Sequence, residues 1–361
     1  MTLVAGVDSS TQSCKVVVVD AETGVVLRSG RAPHPHGTEV DPETWWVALR
    51  LAIADAGGLA DVAAISIAGQ QHGMVALDQY GQVIRPALLW NDTRSSTAAR
   101  ALDSEFPDLV TRTGSKPVAS FTSTKLRWLR DVEPENAALI AAVVLPHDWL
   151  TWRLRGFGPD NPRLDALTTD RSEASGTGYW NPASGEYDLE IFSAAIGRSE
   201  ILLPRILAPD DSPGHVGFDP DLSNVVVGSG AGDNASAALG LAARDGDVIV
   251  SIGTSGTVFA VALRPAQDAT GAVAGFADAS GRFLPLVATL NAARVLDSIA
   301  SLLGVDLSAL GQLALQARPG ADGLVLKPYF EGERTPNLPD ATATLFGMTL
   351  SNTNRTNVAR A

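Results

Sequence analysis

The sequence contains little cysteine and no long apolar run. Cys14 is the single cysteine in 361 residues, so no internal disulfide can form and a reducing compartment is expected. No stretch of about 18 consecutive apolar residues occurs, which argues against a membrane-spanning helix. The N-terminus lacks the basic segment and apolar run of a signal peptide. We therefore expect a cytoplasmic protein that has no membrane partner.

Basic residues are also scarce. The 27 lysines and arginines stand against 40 acidic residues, and the net charge of −13 argues against a nucleic-acid partner, which needs clustered cations. The 5 histidines are scattered, and with one cysteine they predict no zinc-type ligand set. Hydrophobic residues make up 45% and charged residues 19%, which is typical of a packed globular protein. The length suits two domains, which we place at residues 1–241 and 242–361.

Two stretches far apart in the chain share one pattern, in which an apolar strand, a turn of glycine and hydroxyl residues, and a second apolar strand follow one another. They cover residues 3–20 and 248–261. The β-branched runs favour strands, and the residues between them favour tight hairpins. Such turns present backbone N–H groups and hydroxyls to anionic oxygens. The repeat therefore predicts two phosphate-holding turns, and the first offers Ser10, Thr11 and Lys15.

Asp8 belongs to the first of these turns. A carboxylate beside phosphates is repulsive unless a cation lies between them, so Asp8 is a candidate ligand of Mg²⁺, through water. The alternative is a structural one, in which the Asp8 side chain closes the hairpin as an Asx-turn. The residues alone leave both interpretations open.

Asp233 follows an apolar strand and a glycine-rich segment at residues 228–232, and it precedes a run of small residues that predicts a helix. A carboxylate there can accept a proton from a substrate hydroxyl that attacks phosphorus. The helix dipole is expected to lower the pKa of Asp233, so its basicity should be modest. The alternative is that Asp233 only caps the helix.

Two polar clusters, at residues 69–73 and 90–94, each follow an apolar strand. Ligands of open α/β sheets bind at the carboxyl ends of the strands, so both clusters are expected to line one pocket. Their amide, imidazole and guanidinium groups suit a polyhydroxylated ligand, and Trp90 offers an apolar face. His72 can equally be a turn histidine, and Trp90 can equally be a core residue.

Local signals predict several surrounding elements. Asp41 is expected to cap a helix whose first turn contains Pro42. Residues 155–181 are rich in Gly, Pro, Asp, Ser and Thr, which predicts a long loop-bearing region over one face of the domain. Glu333 and Arg334 predict a structural ion pair.

Six ordered motifs together resemble the FGGY family of carbohydrate kinases. They are GVDSST at 6–11, GQQHG at 69–73, WNDTR at 90–94, GAGDN at 230–234, GTSG at 253–256 and GERTP at 332–336. The resemblance implies an α/β fold of the actin-like, hexokinase type, with two ribonuclease H-like domains hinged around a cleft. It also implies a phosphotransferase that uses ATP and Mg²⁺ to phosphorylate a small sugar.

The resemblance assigns roles to individual residues. Asp233 corresponds to the catalytic base, and Asp8 to the acid of the phosphate turn near Mg²⁺. The residues expected to border the sugar are Gln71, His72, Trp90 and Asn234, and those expected to meet the ATP phosphates are Ser10, Thr11, Lys15, Gly253 and Thr254. The first residue of the Gln71–His72 pair is often methionine in the family.

D-xylulose, phosphorylated at O5, is the expected substrate, with another pentulose, a polyol or a sugar acid as the alternatives. Family members continue well beyond the GERTP motif, into a glycine-rich segment that holds adenosine. We therefore expect a C-terminally truncated member whose second domain is incomplete. A non-catalytic sugar-binding fragment is the competing interpretation, and a homodimer stays open as an assembly.

Overall fold

The structure is a computed structural model that describes residues 1–253, 255–330, 332–336, 338 and 340–361. Its strands are given first. They are β1 (Leu3–Ser9), β2 (Ser13–Asp20), β3 (Val26–Pro33), β4 (Glu39–Val40), β5 (Val62–Gly69), β6 (Val75–Leu77), β7 (Ala87–Leu88), β8 (Ala142–Val144), β9 (Thr168–Asp170), β10 (Trp180–Asn181), β11 (Glu186–Tyr187), β12 (Arg205–Leu207), β13 (Gly214–His215), β14 (Val226–Val227), β15 (Ala231–Gly232), β16 (Val248–Ile252), β17 (Gly256–Ala260), β18 (Ala274–Ala277), β19 (Phe283–Thr289), β20 (Val325–Lys327) and β21 (Thr344–Phe346).

The helices alternate with these strands through much of the chain. They are α1 (Pro42–Asp55), α2 (Ser96–Glu105), α3 (Leu109–Thr113), α4 (Thr122–Val132), α5 (Pro134–Leu139), α6 (Pro146–Leu154), α7 (Arg171–Ser175), α8 (Leu189–Ile196), α9 (Asp233–Gly240), α10 (Ala293–Leu303), α11 (Leu307–Gln316) and α12 (Arg355–Arg360), with 3₁₀ turns at Leu164–Ala166, Pro220–Leu222 and Ala321–Gly323.

The chain divides into two compact units. The first contains Met1–Gly246 and Val261–Pro285, and the second contains Asp247–Ala260 and Leu286–Ala361. The domain limits inferred from the sequence, 1–241 and 242–361, stay a prediction.

The first unit is built on a sheet with the strand order β13-β14-β5-β1-β2-β3, and β15 also pairs with β5. The predicted hairpin of β1 and β2 is confirmed, and β1 pairs in parallel with β5 on its other side. Strand β1 buries every second side chain, with Leu3, Ala5 and Val7 in the core, because successive side chains of a strand point to opposite faces.

Helix α1 covers one face of this sheet. As predicted, Asp41 caps it, since its side chain accepts a hydrogen bond from Glu43 N at 3.0 Å, and Pro42 lies in the first turn. The helix buries Trp45 and Leu49 in the same core as the sheet. Apolar periodicity and capping chemistry therefore suffice to place this element.

Residues 168–180 differ from the sequence-based prediction of a surface loop region. They form β9, α7 and β10 and are almost entirely buried. Several of their hydroxyl groups bond within the segment, as when Thr177 Oγ1 donates to Ala174 O at 2.6 Å. Small side chains that satisfy their own polar atoms can enter a core without leaving unpaired groups. The prediction is wrong for this segment because composition reports polarity and not burial.

The second unit contains an antiparallel sheet in which β17 pairs with both β16 and β19. This confirms the second predicted hairpin. Helices α10 and α11 form a small core with Ile299, Ala300 and Leu310. No single described helix is long and apolar enough to cross a membrane; α10 and α11, bent by 83° at the break between them, pass such a test as a pair by length and composition only.

Glu333 holds several segments of the second unit together. Its carboxylate accepts hydrogen bonds from Thr289 Oγ1 at 2.6 Å, Leu290 N at 2.8 Å and Asn291 Nδ2 at 3.0 Å. It also accepts from Arg334 N at 2.7 Å, so the two residues meet through the backbone rather than through the ion pair that we predicted. Burial alone would raise the pKa of Glu333, but these donors outweigh it and lower the pKa.

The substitution Glu333→Gln should therefore destabilise the second unit, by about 2–4 kcal/mol, because an amide brings two donors to a site that needs only acceptors. A carboxylate whose pKa is lowered by folding stabilises above its unfolded value of 4.5 and loses that contribution as the pH falls through the folded value. Urea unfolding should show this pH dependence in the wild type and not in the variant. The control is Asp297→Asn, on the exposed surface of α10. Equal stability of the two variants would contradict the role of Glu333.

Candidate functional site

Three parallel strands of the first unit end at the same level. Ser9, the last residue of β1, lies opposite Gly69, the last residue of β5, and Gly69 lies opposite Gly232, the last residue of β15. Neighbouring strands are about 4.8 Å apart, so the backbones of Ser9 and Gly232 are separated by about 10 Å. The segments that follow these ends contain the first turn, the Gln71–His72 pair and Asp233. This arrangement brings together the residues that the sequence analysis placed at strand ends.

The first turn is closed by its own backbone and hydroxyl groups. Both Ser10 N and Ser10 Oγ donate to Ser13 O at 3.1 Å. His34 Nδ1 donates to Ser10 O at 2.8 Å, and burial lowers the pKa of His34. Since Ser10 N bonds to a carbonyl, the alternative of an Asx-turn closed by Asp8 is wrong.

Thr11 connects this turn to the other strand ends. Its Oγ1 accepts a hydrogen bond from Trp90 Nε1 at 2.9 Å and donates to Gln70 Oε1 at 3.4 Å. Trp90 is half-buried rather than enclosed in the core. The phosphate turn predicted from the sequence is thus bonded directly to Trp90, one of the residues predicted to border the sugar.

Asp8 and Lys15 face each other across the hairpin of β1 and β2. Lys15 Nζ lies 3.4 Å from Asp8 Oδ2, and the two side chains are 50% and 44% exposed. Ion pairs with this exposure contribute little to stability, about 0–1 kcal/mol. The pair is therefore available for rearrangement when a phosphate or a cation approaches.

Asp233 is the first residue of α9, and the cap position belongs to Gly232. The alternative that Asp233 caps the helix is therefore wrong. Its Oδ1 accepts hydrogen bonds from Asn234 N at 2.7 Å and Asn234 Nδ2 at 2.8 Å. Loss of hydration raises the pKa of Asp233 to about 6, the negative charge of Asp8 adds to this, and the bonds from Asn234 oppose it. The expected lowering by the helix dipole is wrong because desolvation of a carboxylate outweighs it.

Gln71 and His72 are held in place by the residues around α7. Gln71 Nε2 donates to Ser172 O at 2.9 Å, and His72 Nδ1 donates to Gly176 O at 2.8 Å. The His72 ring packs against Phe121, with ring centroids 4.9 Å apart. Both side chains are buried and their orientations are determined by these bonds.

His72 has a left-handed backbone, with φ of 68°. This conformation costs a residue with a side chain about 1–3 kcal/mol, so the surrounding structure has to maintain it. Thr122 Oγ1 and Lys125 Nζ both donate to His72 O at 3.3 Å, and Lys125 is completely buried. Such strain, held by two donors, is typical of residues whose direction matters for function.

Asp92 and Arg94 stabilise the fold beside this site. Asp92 accepts from Thr38 Oγ1 at 2.8 Å and from Arg94 Nε at 2.9 Å, and Arg94 Nη2 donates to Glu39 at 2.7 Å. The guanidinium group of the WNDTR cluster is therefore engaged within the protein.

A buried group of acids near Asp233 was not found by the sequence analysis. His147 Nδ1 lies 3.0 Å from Asp148 Oδ1, and both side chains are fully buried. Glu173 is also fully buried, and neither of its carboxyl oxygens has a hydrogen-bond partner among the described residues. Burial, with the charges of Asp148, Asp170 and Asp233, raises the pKa of Glu173 well above its ordinary value. Only the tertiary structure shows this raised pKa, since the sequence gives no sign that residue 173 is buried.

The nucleotide-binding residues predicted in the second hairpin belong to the second unit. Gly253 is exposed; its N–H donates to Ser255 O at 2.9 Å, and its carbonyl accepts from Ala293 N at 2.9 Å. Thr254 lies outside the described residues.

The fold and the site together define a class of protein. One edge of the sheet carries the hydroxyl-lined first turn, Asp233 with its raised pKa, and the fixed Gln71–His72 pair. These groups suit phosphoryl transfer to an alcohol group. The chain belongs to the FGGY family of carbohydrate kinases, because the family model "FGGY family of carbohydrate kinases, N-terminal domain" matches residues 3–240. These enzymes are phosphotransferases with an alcohol acceptor, and their fold is actin-like α/β, as predicted.

Individual relatives agree with this assignment. The chain is 48% identical over 357 residues to a xylulose kinase of Streptomyces coelicolor, covering 96% of this chain and 70% of that protein. It is 34% identical to a xylulose kinase of Escherichia coli, covering 95% and 72%. The crystal structure of xylulose kinase from Bifidobacterium adolescentis superimposes with a TM-score of 0.89 at 49% identity, covering 99% of this chain and 78% of that chain.

The substitution Asp8→Asn should lower the pKa of Asp233 below about 6, because it removes a negative charge that disfavours ionisation of Asp233. ¹³C NMR titration of the aspartate carboxyl groups measures this shift. The exposed Asp160→Asn serves as the control and should leave the Asp233 titration unchanged. An unchanged pKa in Asp8→Asn would show that the two carboxylates do not interact.

The substitution Gly232→Ala should displace Gln71, because an added Cβ would lie 2.7 Å from Gln71 Cγ and 2.8 Å from its amide group. We expect the affinity for D-xylulose, measured by calorimetry, to fall more than tenfold. The matched control is Gly240→Ala at the end of α9, the helix that Gly232 caps, where an added Cβ meets nothing within 4 Å. If both variants bind the sugar equally well, the close packing of Gly232 on Gln71 has no role in binding.

Proposed function

We propose that this chain transfers the γ-phosphoryl group of ATP to O5 of D-xylulose, with Asp233 as the general base. The observation that carries the proposal is a carboxylate with a pKa of about 6 at the sheet edge that also bears the hydroxyl turn and the fixed Gln71–His72 pair. Two relatives named xylulose kinase, each 48% identical over most of this chain, favour D-xylulose over another pentulose, a polyol or a sugar acid.

The pKa of Asp233 suits its proposed role. A carboxylate that titrates near 6 is mostly ionised at neutral pH, yet it is more basic than an ordinary aspartate. As the O5–Pγ bond forms and the bond from Pγ to the β-phosphate oxygen breaks, the O5 proton passes to Asp233 and ADP leaves. The hydrogen bonds from Asn234 orient the carboxylate for this transfer.

The sugar would be bordered by Gln71, His72, Trp90 and Asn234. Since Gln71 Nε2 already donates to Ser172 O, Gln71 would accept from a sugar hydroxyl through Oε1. The Nδ1–H of His72 is likewise engaged with Gly176 O, which fixes the orientation of the ring. Specificity among sugars would follow from such fixed hydrogen-bond partners.

Kinases of this family use ATP, typically with Mg²⁺. We assign the ATP phosphates to the first turn, which contains Ser10, Thr11 and Lys15; the contact of Gly253 and Thr254 with phosphates stays a prediction from the sequence. Mg²⁺ is usually held by one or two carboxylates together with substrate phosphates and water, and the half-exposed carboxylate of Asp8 is a ligand of this kind. Asp8 would hold this ion through water, and the ion would neutralise charge on the phosphates. The cytoplasm, which contains ATP, is the compartment that we propose.

The substitution Asp233→Asn should reduce kcat about 10²–10⁴-fold, because the asparagine amide cannot take the hydroxyl proton. D-xylulose binding should change much less, since the proposed sugar contacts remain. Coupled detection of ADP release measures turnover, and calorimetry measures binding. In the wild type, kcat should fall as the pH drops below about 6 because Asp233 becomes protonated.

Full activity of Asp233→Asn would remove Asp233 from the base role. A wild-type chain that binds D-xylulose and does not release ADP would instead favour the sugar-binding alternative. Exposed Asp160→Asn serves as the control for charge alone and should retain the wild-type kcat.

A further inference from the structure

Ser172 lies at the centre of the buried segment that the sequence analysis assigned to loops. Its side chain is completely buried in α7. Its hydroxyl makes two hydrogen bonds, since Oγ donates to Asp170 Oδ2 at 2.6 Å and accepts from Gly232 N at 2.9 Å. A single hydroxyl thus joins α7 to the segment that carries Asp233.

The direction of the Ser172 hydroxyl proton is determined by its neighbours. Both carboxyl oxygens of Asp170 already accept hydrogen bonds, from Ser172 N at 2.7 Å and Glu173 N at 3.1 Å, and the Ser172 hydroxyl also donates to Oδ2. The Ser172 oxygen can then accept a hydrogen bond, and Gly232 N donates this bond. Because Gly232 directly precedes Asp233, this bond restrains the backbone from which the Asp233 side chain projects.

The same helix also holds the Gln71–His72 pair, and it does so through backbone carbonyls. Gln71 Nε2 donates to Ser172 O, and His72 Nδ1 donates to Gly176 O, directly after α7. One short helix therefore provides the anchors for the proposed base and for two proposed sugar contacts. The distance between the proposed base and the proposed sugar contacts therefore depends on α7.

We infer that Ser172 is a positioning residue, which aligns Asp233 with the sugar held by Gln71 and His72 by accepting the Gly232 N–H. The inference rests on the proposed function. Removal of Oγ leaves a buried N–H without its acceptor and frees the backbone at Gly232. Ser172 O remains, so the bond to Gln71 persists. Misalignment of the base therefore affects the chemical step and spares the binding step.

The test compares Ser172→Ala with Thr177→Val in the full chain. Thr177 belongs to the same buried segment, and its hydroxyl also makes two bonds, donating to Ala174 O at 2.6 Å and accepting from Tyr179 N at 3.3 Å. Thr177 contacts neither Gly232 nor Gln71 through that hydroxyl, so Thr177→Val controls for loss of a buried hydroxyl in this segment.

For Ser172→Ala we expect a 10- to 100-fold lower kcat with D-xylulose and a KM within about threefold of the wild type, because a displacement of about 1 Å can cost this much in rate. Thr177→Val should keep the wild-type kcat. Ser172→Cys, whose thiol donates and accepts weakly, should recover part of the loss. A raised KM with an unchanged kcat, or equal kcat values in Ser172→Ala and Thr177→Val, would overturn the inference.

A second measurement separates this inference from the proposed function. Amide hydrogen exchange at Gly232 should accelerate at least tenfold in Ser172→Ala and stay unchanged in Thr177→Val, whether or not the chain turns over D-xylulose. A wild-type chain without turnover would count against the proposed function alone. Unchanged exchange at Gly232 in a folded Ser172→Ala or Ser172→Cys variant would count against the restraint itself.

Discussion

The parallel pairing of β1 with β5 and of β5 with β15 is the constraint on which the site depends. Register in a parallel ladder is set by hydrogen bonds along the strand, so Ser9 and Gly69 end level because of pairings that begin as far back as Val4, and Gly232 ends level with Gly69 through the pairing of β15. A shift of register by one residue would turn Asp8 to the other face of the sheet. The functional groups that follow these strands lie close together because the strands are paired side by side. Their proximity does not depend on a direct contact between Asp8 and Asp233.

Charge burial gives the site its chemistry. Asp233 loses hydration and lies near Asp8, and both effects raise its pKa to about 6. The buried acids nearby differ in their surroundings, since burial and neighbouring charges raise the pKa of Glu173 while Asp148 pairs with His147. Burial alone would lower the pKa of His147, but the bond to Asp148 and its charge raise it. The fold therefore keeps one carboxylate able to take a proton within a region that otherwise opposes negative charge.

Close packing of backbone explains why glycine and serine are so frequent around this edge. An added Cβ at Gly69 would lie 2.6 Å from His147 Cβ, and one at Gly232 would lie 2.7 Å from Gln71 Cγ. The small side chain of Ser172 in α7 allows the close approach of the Gly232 backbone and uses both hydrogen-bonding functions of its hydroxyl. Small residues in these motifs therefore serve the approach of one segment to another, and larger side chains would separate the sugar contacts from the base.

The amino-acid sequence by itself determined the local elements, among them both hairpins, the Asp41-capped helix α1 and the order of motifs that identifies the family, because alternation, capping and turn chemistry act between residues close in the chain. It did not determine that residues 168–180 are buried, that Gly232 rather than Asp233 caps α9, or that the pKa of Asp233 is raised. Burial and charge interactions join residues far apart in the chain, as Asp8 with Asp233 and Ser172 with Gly232. Only the tertiary structure decided these, since desolvation depends on everything that surrounds a group and not on its neighbours in sequence.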